Sequence, residues 1–312
     1  MIWSRYQIVD VFSSRPLQGN PVAVFADGSP LSGELMQRTA RELNLSETVF
    51  LLPAEDPSAD LRVRIFTPLA ELPFAGHPVL GAAVAVAADR PGPVRLQTGI
   101  GVIAVRVRGQ AGESAYAELE QVVAAAEPVA DQPALLRALG VERSELAVEA
   151  YRNGPLHAYV ALADAERVAA LRPDMAALAR LGEGRGFSCF ARVGDRVKTR
   201  MFAPALGVNE DPATGSAAGP LALHLVRHGW ARRGERLEIE QGAEIGRPSR
   251  LHACVLEGGT EGGALQVGAD GVPQGGADGV LKRGADGVPE GGARVLVGGA
   301  AVIVAEGRYR LD

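Results

Sequence analysis

Short apolar or alternating runs at Tyr6 to Phe12, Val22 to Phe25, Val49 to Leu52 and Leu61 to Phe66 carry the pattern of strands with one or both faces buried. Between them, Leu35 to Leu43 and Pro78 to Ala88 shift to helical spacing and predict two helices. The second part of the chain repeats the mixture. Strands are predicted over His157 to Leu162, Phe187 to Val193 and Lys198 to Phe202, and helices over Val168 to Leu181 and Ser216 to His228. The class is mixed α/β (α+β).

The two parts also share landmarks. Arg64-Ile65-Phe66-Thr67-Pro68 leads through a loop to Gly76-His77-Pro78 at the mouth of an Ala-rich helix. Arg200-Met201-Phe202-Ala203-Pro204 leads in the same way to Gly215-Ser216-Ala217, at offsets of 136 (64 to 200) and 139 (76 to 215). Upstream, Gly19-Asn20-Pro21 answers Asn153-Gly154-Pro155, each before a strand. An internal duplication accounts for this order. A different repeat begins at Gly268: three octads, GADGVPQG, GADGVLKR and GADGVPEG, rich in glycine and poor in large apolar residues. Calcium-binding β-helices repeat every nine residues, so the octads are expected to form a surface loop.

Composition narrows the function. The 312 residues are 47% hydrophobic, enough for two cores. With 32 basic against 37 acidic residues and a net charge of −5, nucleic acid is not an expected partner. The longest apolar stretch, near Val79 to Ala88, is too short to span a bilayer, and a cytoplasmic location is the default expectation. Cys189 and Cys254 lack metal-site spacing, and the two lysines, Lys198 and Lys282, lie in no phosphate loop and leave few candidates for a Schiff base. Gly99 to Ala104 matches a loose dinucleotide fingerprint, but the alternation in Val105 to Arg108 argues for a strand where that motif needs a helix. No Gly-x-Ser-x-Gly elbow surrounds Ser188 or Ser216. His224 and His228 are spaced i, i+4 but lack the glutamate of a metalloprotease helix and any evident third ligand, so no metal is expected.

What remains is anion-binding and acid/base chemistry. Glycine at a helix mouth lets an anion approach unpaired N–H groups and the positive end of the helix. Gly76 and Gly215 hold such positions, with His77 and Ser216 beside them. If the halves pack about a pseudo-two-fold axis, both mouths face one cleft and grip a carboxylate without an arginine clamp. Glu47 and Asp211 are predicted beside that cleft. A carboxyl in a partly dehydrated cleft has a raised pKa suited to taking and returning a carbon-bound proton, and Glu47 is the leading candidate. Asp211, before Pro212, equally suits a turn or cap.

Asp10-Val11-Phe12 with Gly19-Asn20-Pro21, Leu45-Ser46-Glu47-Thr48, Phe74-Ala75-Gly76-His77-Pro78, the stretch Glu210 to Ala217, and Gln241-Gly242 with Gly246-Arg247-Pro248-Ser249 together resemble the PhzF-like family over nearly the whole chain. The resemblance implies the diaminopimelate epimerase-like fold, two similar halves each with a sheet curled around a central helix. The expected halves are residues 1–120, joined by a last strand over 300–312, and 121–299, with the octad insertion at about 258–293. It further implies a cofactor-independent isomerase acting on a small carboxylate-bearing substrate, with Glu47 as acid/base, His77 and Asp211 assisting, and Ser46, Gly76, Gly215 and Ser216 holding substrate. A homodimer is expected by the same resemblance. An amino-acid racemase or epimerase, or a non-catalytic protein-binding module on this fold, are the alternatives. Cys189 and Cys254 fall outside both glycine loops, which disfavours a thiol-based epimerase.

Overall fold

A computed structural model describes residues 3–87, 93–109, 114–123, 125–182, 184–256, 265–267, 273–275 and 293–311. In the first half, β1 (Trp3–Val11), β2 (Asn20–Phe25), α1 (Gly33–Leu43), β3 (Glu47–Leu52), β4 (Leu61–Phe66), β5 (Glu71–Leu72) and α2 (Gly76–Ala87) lead to β6 (Val94–Thr98), β7 (Gly101–Arg108) and β8 (Ala115–Val123). The second half runs β9 (Glu127–Pro128), α3 (Gln132–Leu139), β10 (Glu149–Arg152), β11 (Leu156–Ala161), α4 (Ala165–Ala170), α5 (Met175–Leu181), β12 (Arg185–Val193), β13 (Arg196–Ala203) and β14 (Val208–Asp211). It continues with α6 (Gly215–Arg227), β15 (Leu237–Gln241), β16 (Ser249–Val255), the short pair β17 (Leu265–Val267) and β18 (Pro273–Gly275), and β19 (Ala293–Arg310).

The strands close into two rings. β1, β2, β3, β4, β6, β7, β8 and β19 are hydrogen-bonded in that order, and β19 returns to β1. The second ring passes from β9 through β10, β11, β12, β13, β15 and β16 to β19 and back to β8, the strand just before β9. The eighteen residues of β19 thus serve both rings. Closure leaves few unpaired edges, as a curled sheet requires.

One helix threads each ring. Every residue of α2 from Gly76 to Val84 is buried, as is every residue of α6 from Gly215 to Leu225. A helix apolar on all sides is stable only inside a core. Small residues let the strands close on it: a Cβ at Gly81 would lie 2.4 Å from Val22 Cγ1, and one at Gly219 would lie 2.3 Å from Gln121 Oε1. Among the described residues no helix is long and apolar enough to cross a membrane.

The structure corrects one predicted element. The helix expected over Val168 to Leu181 is two, α4 and α5, divided at Pro173. Proline cannot supply the amide a continuous helix needs there, and Asp174 caps α5 by accepting from Ala177 N at 2.9 Å. Apolar spacing ran across the break because Val168, Leu171 and Leu178 all face the same core. The octads lie outside the described residues, apart from the three-residue strand β18.

Candidate active site

The mouths of α2 and α6 meet. A Cβ at Gly76 would lie 2.9 Å from the carbonyl carbon of Gly215 and 3.0 Å from Ser216 N, so glycine is what allows the two helix starts to touch. Their positive ends converge on a cavity of about 190 Å³ lined by Glu47, Gly76, His77, Asp211, Gly215 and Ser216. Six of the seven predicted site residues therefore line it. The seventh, Ser46, does not line the cavity but donates from Oγ to Asp211 Oδ1 at 3.2 Å. The rest of the lining is largely apolar, with Leu69, Leu72, Met201, Leu206 and Val208, and no lysine or arginine is among the lining residues.

Glu47 begins β3, where the chain turns out of α1 at Asn44 in the left-handed conformation. Its side chain is 16% exposed, yet Oε2 is enclosed without a hydrogen-bond partner. Burial pushes its carboxyl well above the usual range, and the charge of Asp211 pushes it further. The nearest ring nitrogen, His77 Nε2, is 3.5 Å away and also unpartnered. Burial depresses His77 to about 3, so its imidazole is neutral.

Asp211 sits in a different setting. Its Oδ1 accepts from Asn20 Nδ2 at 2.9 Å and from Ser46, and its Oδ2 accepts from Thr214 Oγ1 at 2.6 Å. Burial raises it to about 6 against these three donors, which favour its anion. Of two neighbouring carboxyls, the one without donors keeps the proton, and that is Glu47. The cap reading of Asp211 is not what forms: its oxygens accept from side chains, and α6 starts at Thr214 without a side-chain cap.

Several residues of the site were landmarks in the sequence without a role. Asn20 also donates to Ala213 O at 2.9 Å, tying the β2 entry to the α6 loop. Gln241 donates from Nε2 to Asp211 O at 2.8 Å and to Thr214 Oγ1 at 3.0 Å. Asn153 donates to Ser216 O at 2.9 Å, and Gln121 to Gly215 O at 3.0 Å. The signal for the first three was their place in the GNP, NGP and QG motifs.

The duplication is visible in the register and broken at the acid. Thr48 pairs with Phe66 and Phe187 with Phe202, so with Phe66 and Phe202 equivalent, Gly186 stands where the first half has Glu47. Neither cysteine is among the cavity-lining residues: Cys189 is buried on β12, where burial pushes its thiol up to about 12, and Cys254 lies on β16. His224 and His228 do have a third neighbour, contrary to the sequence reading. Glu149 Oε2 lies 3.2 Å from His224 Nδ1 and 3.0 Å from His228 Nε2. The same carboxylate accepts from Tyr151 OH at 2.9 Å and from Arg227 at 3.4 Å, so the cluster is a hydrogen-bonded ion network between β10 and α6.

Comparison with known proteins agrees with this fold. The family model described as phenazine biosynthesis-like protein matches residues 9–274. A trans-2,3-dihydro-3-hydroxyanthranilate isomerase of Pseudomonas aeruginosa is 47% identical over 269 residues, covering 86% of this chain and 96% of that protein. A solved structure described as a predicted epimerase, also from Pseudomonas aeruginosa, superposes with a TM-score of 0.73 at 31% identity over 98% of this chain and 99% of the other. A hydroxyproline epimerase of Agrobacterium vitis shares the fold at 14% identity, with a TM-score of 0.66 over 99% of this chain and 93% of its own.

Proposed function

The chain belongs to the phenazine biosynthesis-like protein family and is an isomerase of the PhzF type, and on that premise we propose that it isomerises trans-2,3-dihydro-3-hydroxyanthranilate with Glu47 as its proton carrier. The observation that supports this most is the unpartnered carboxyl of Glu47, raised by burial, at a cavity where two helix starts converge. A cavity of about 150 Å³ holds a benzene ring, so 190 Å³ suits one six-membered ring with small substituents.

The substrate carboxylate is held by main-chain N–H groups at Gly76 and at Gly215 to Ser216, where both helix ends favour an anion. Its ring lies against the apolar wall, which keeps water away from the reacting carbons. An isomerisation conserves every atom, so a proton taken from one ring carbon is returned at another. Ionised Glu47 takes it, and the resulting neutral acid, already favoured by burial, holds it until it is given back. Asp211, fixed as an anion by Asn20, Ser46 and Thr214, raises the basicity of Glu47, and neutral His77 closes the site beside it. A two-base racemase needs a second carrier on the other face. The matching position is Gly186, the thiols are elsewhere, and Asp211 is saturated with donors.

The test is proton NMR of the dihydro compound in heavy water with wild type and Glu47→Gln. Deuterium is expected on a ring carbon with the wild type only. A wild type that leaves the compound unchanged refutes the substrate, and exchange surviving in Glu47→Gln refutes the carrier. A homodimer is proposed with this reading on family resemblance alone, and sedimentation at the 32.5 kDa of one chain overturns it.

A further inference from the structure

One ionisable residue of the cavity lining is not used by the chemistry above. His157, on β11, is 1% exposed and lines the cavity, with Nε2 3.0 Å from Ser216 Oγ. Its Nδ1 is enclosed and has no hydrogen-bond partner. Two proton arrangements satisfy the 3.0 Å contact. If Ser216 donates to Nε2, the neutral ring carries its hydrogen on Nδ1 and buries an N–H without an acceptor, the costlier kind of orphan. If Nε2 carries the hydrogen, the ring donates to Oγ, Nδ1 is a bare lone pair, and the hydroxyl hydrogen of Ser216 is left over. Ser216 Oγ has no other hydrogen-bond partner among the described residues, so that hydrogen turns into the cavity. Burial lowers the ring to about 4, which keeps it neutral at ordinary pH.

The same wall explains why residue 186 is glycine. Gly186 pairs with His157 across β11 and β12, and a Cβ there would lie 2.8 Å from Nδ1. A side chain at 186 displaces the imidazole.

We infer that His157 is a positioning residue: by donating from Nε2 to Ser216 Oγ, it aims that hydroxyl hydrogen at the carboxylate of the substrate at the start of α6. This rests on the cavity being the isomerase site. Through Ser216, His157 sets how tightly the anion is held, and only secondarily how fast the proton moves.

Steady-state isomerisation of trans-2,3-dihydro-3-hydroxyanthranilate is measured for wild type, His157→Phe, His157→Gln, Gly186→Ala, Ser216→Ala and the double variant His157→Phe with Ser216→Ala. His157→Phe and Ser216→Ala are each expected to raise KM about tenfold, with a smaller change in kcat, as for one lost hydrogen bond to a charged group. The double variant raises KM no further, because both changes remove one shared interaction. Glutamine, whose amide can donate to the same oxygen, restores part of the loss, and Gly186→Ala raises KM by displacing an imidazole that is itself unsubstituted. Unchanged KM in His157→Phe, no recovery with glutamine, or effects that multiply in the double variant overturn the assignment. If wild type does not turn over the dihydro compound, the substrate reading falls separately. Calorimetry with anthranilate on the same variants then decides this one: the same order of Kd supports it, and equal Kd values or no binding to wild type overturn it.

Discussion

Glu47→Gln separates what the carboxyl does for the reaction from what it does to the fold. A positioned acid/base contributes about 10²- to 10⁴-fold. The upper end applies here, because the other carboxyl of the cavity accepts from three donors and cannot stand in. The same substitution is expected to stabilise the protein. Unfolded, Glu47 ionises near the ordinary glutamate value of 4.5; folded, burial and the charge of Asp211 hold its ionisation well above that. The folded state therefore binds more protons between the two values, and stability falls as pH rises through that window, by about 1.4 kcal/mol for each unit of separation. Below pH 4.5 the carboxyl is protonated in both states and the penalty disappears. Glutamine does not titrate, so its advantage should be near zero at pH 4 and fully developed at pH 8, each kcal/mol of it adding roughly 2 °C to Tm. Deuterium exchange by NMR and thermal melts at pH 4 and pH 8 measure the two effects. A gap in Tm that is the same at both pH values, or a variant less stable than wild type at pH 8, refutes the burial reasoning.

Three further outcomes follow from the same geometry. Gly76→Ala drives a Cβ against main-chain atoms of Gly215 and Ser216 that cannot rotate away, and a shift of about 1 Å in the helix mouths should cost about 10²-fold in kcat/KM; near-normal kinetics contradict the contact. For wild type, kcat/KM should rise with pH through the raised ionisation of Glu47, and Asp211→Asn should move that limb to lower pH by removing a charge that raises it; a limb that stays put or moves up contradicts the coupling. Arg200→Met strands Glu210, which accepts from Arg200 Nε at 2.8 Å and Nη2 at 2.7 Å with both side chains less than a tenth exposed. A loss of about 3–5 kcal/mol in urea unfolding is expected, only part of it recovered when Glu210 is also replaced by methionine, because Arg200 Nη1 also donates to the carbonyls of Ala169 at 3.1 Å and Leu171 at 2.8 Å.

Strands with a clear period were legible from the sequence, and β4 formed over the residues that carry its alternation, Leu61–Phe66. The paired glycine mouths were legible because a duplicated motif marks both ends of one contact. What escaped was information that only closure of the sheet brings together. Glu149 is 75 residues from His224, and no local pattern announces that β10 faces α6. His157 looked like an ordinary strand position, since the apolar run around it says nothing of Ser216, 59 residues away in sequence and in contact with its ring. The break at Pro173 was readable from Pro-Asp alone, but a core shared by two short helices imitates one long periodicity.

The glycine at 186 has a consequence for what leaves the cavity. With Glu47 as the proposed carrier, a scaffold that has an acid in one half and glycine at the matching place in the other reaches the substrate ring from one side only. A proton lifted and set down from that side creates a stereocentre of one configuration, and a deuteron from solvent takes the same place. The asymmetry between the two halves is thereby copied into the handedness of the product.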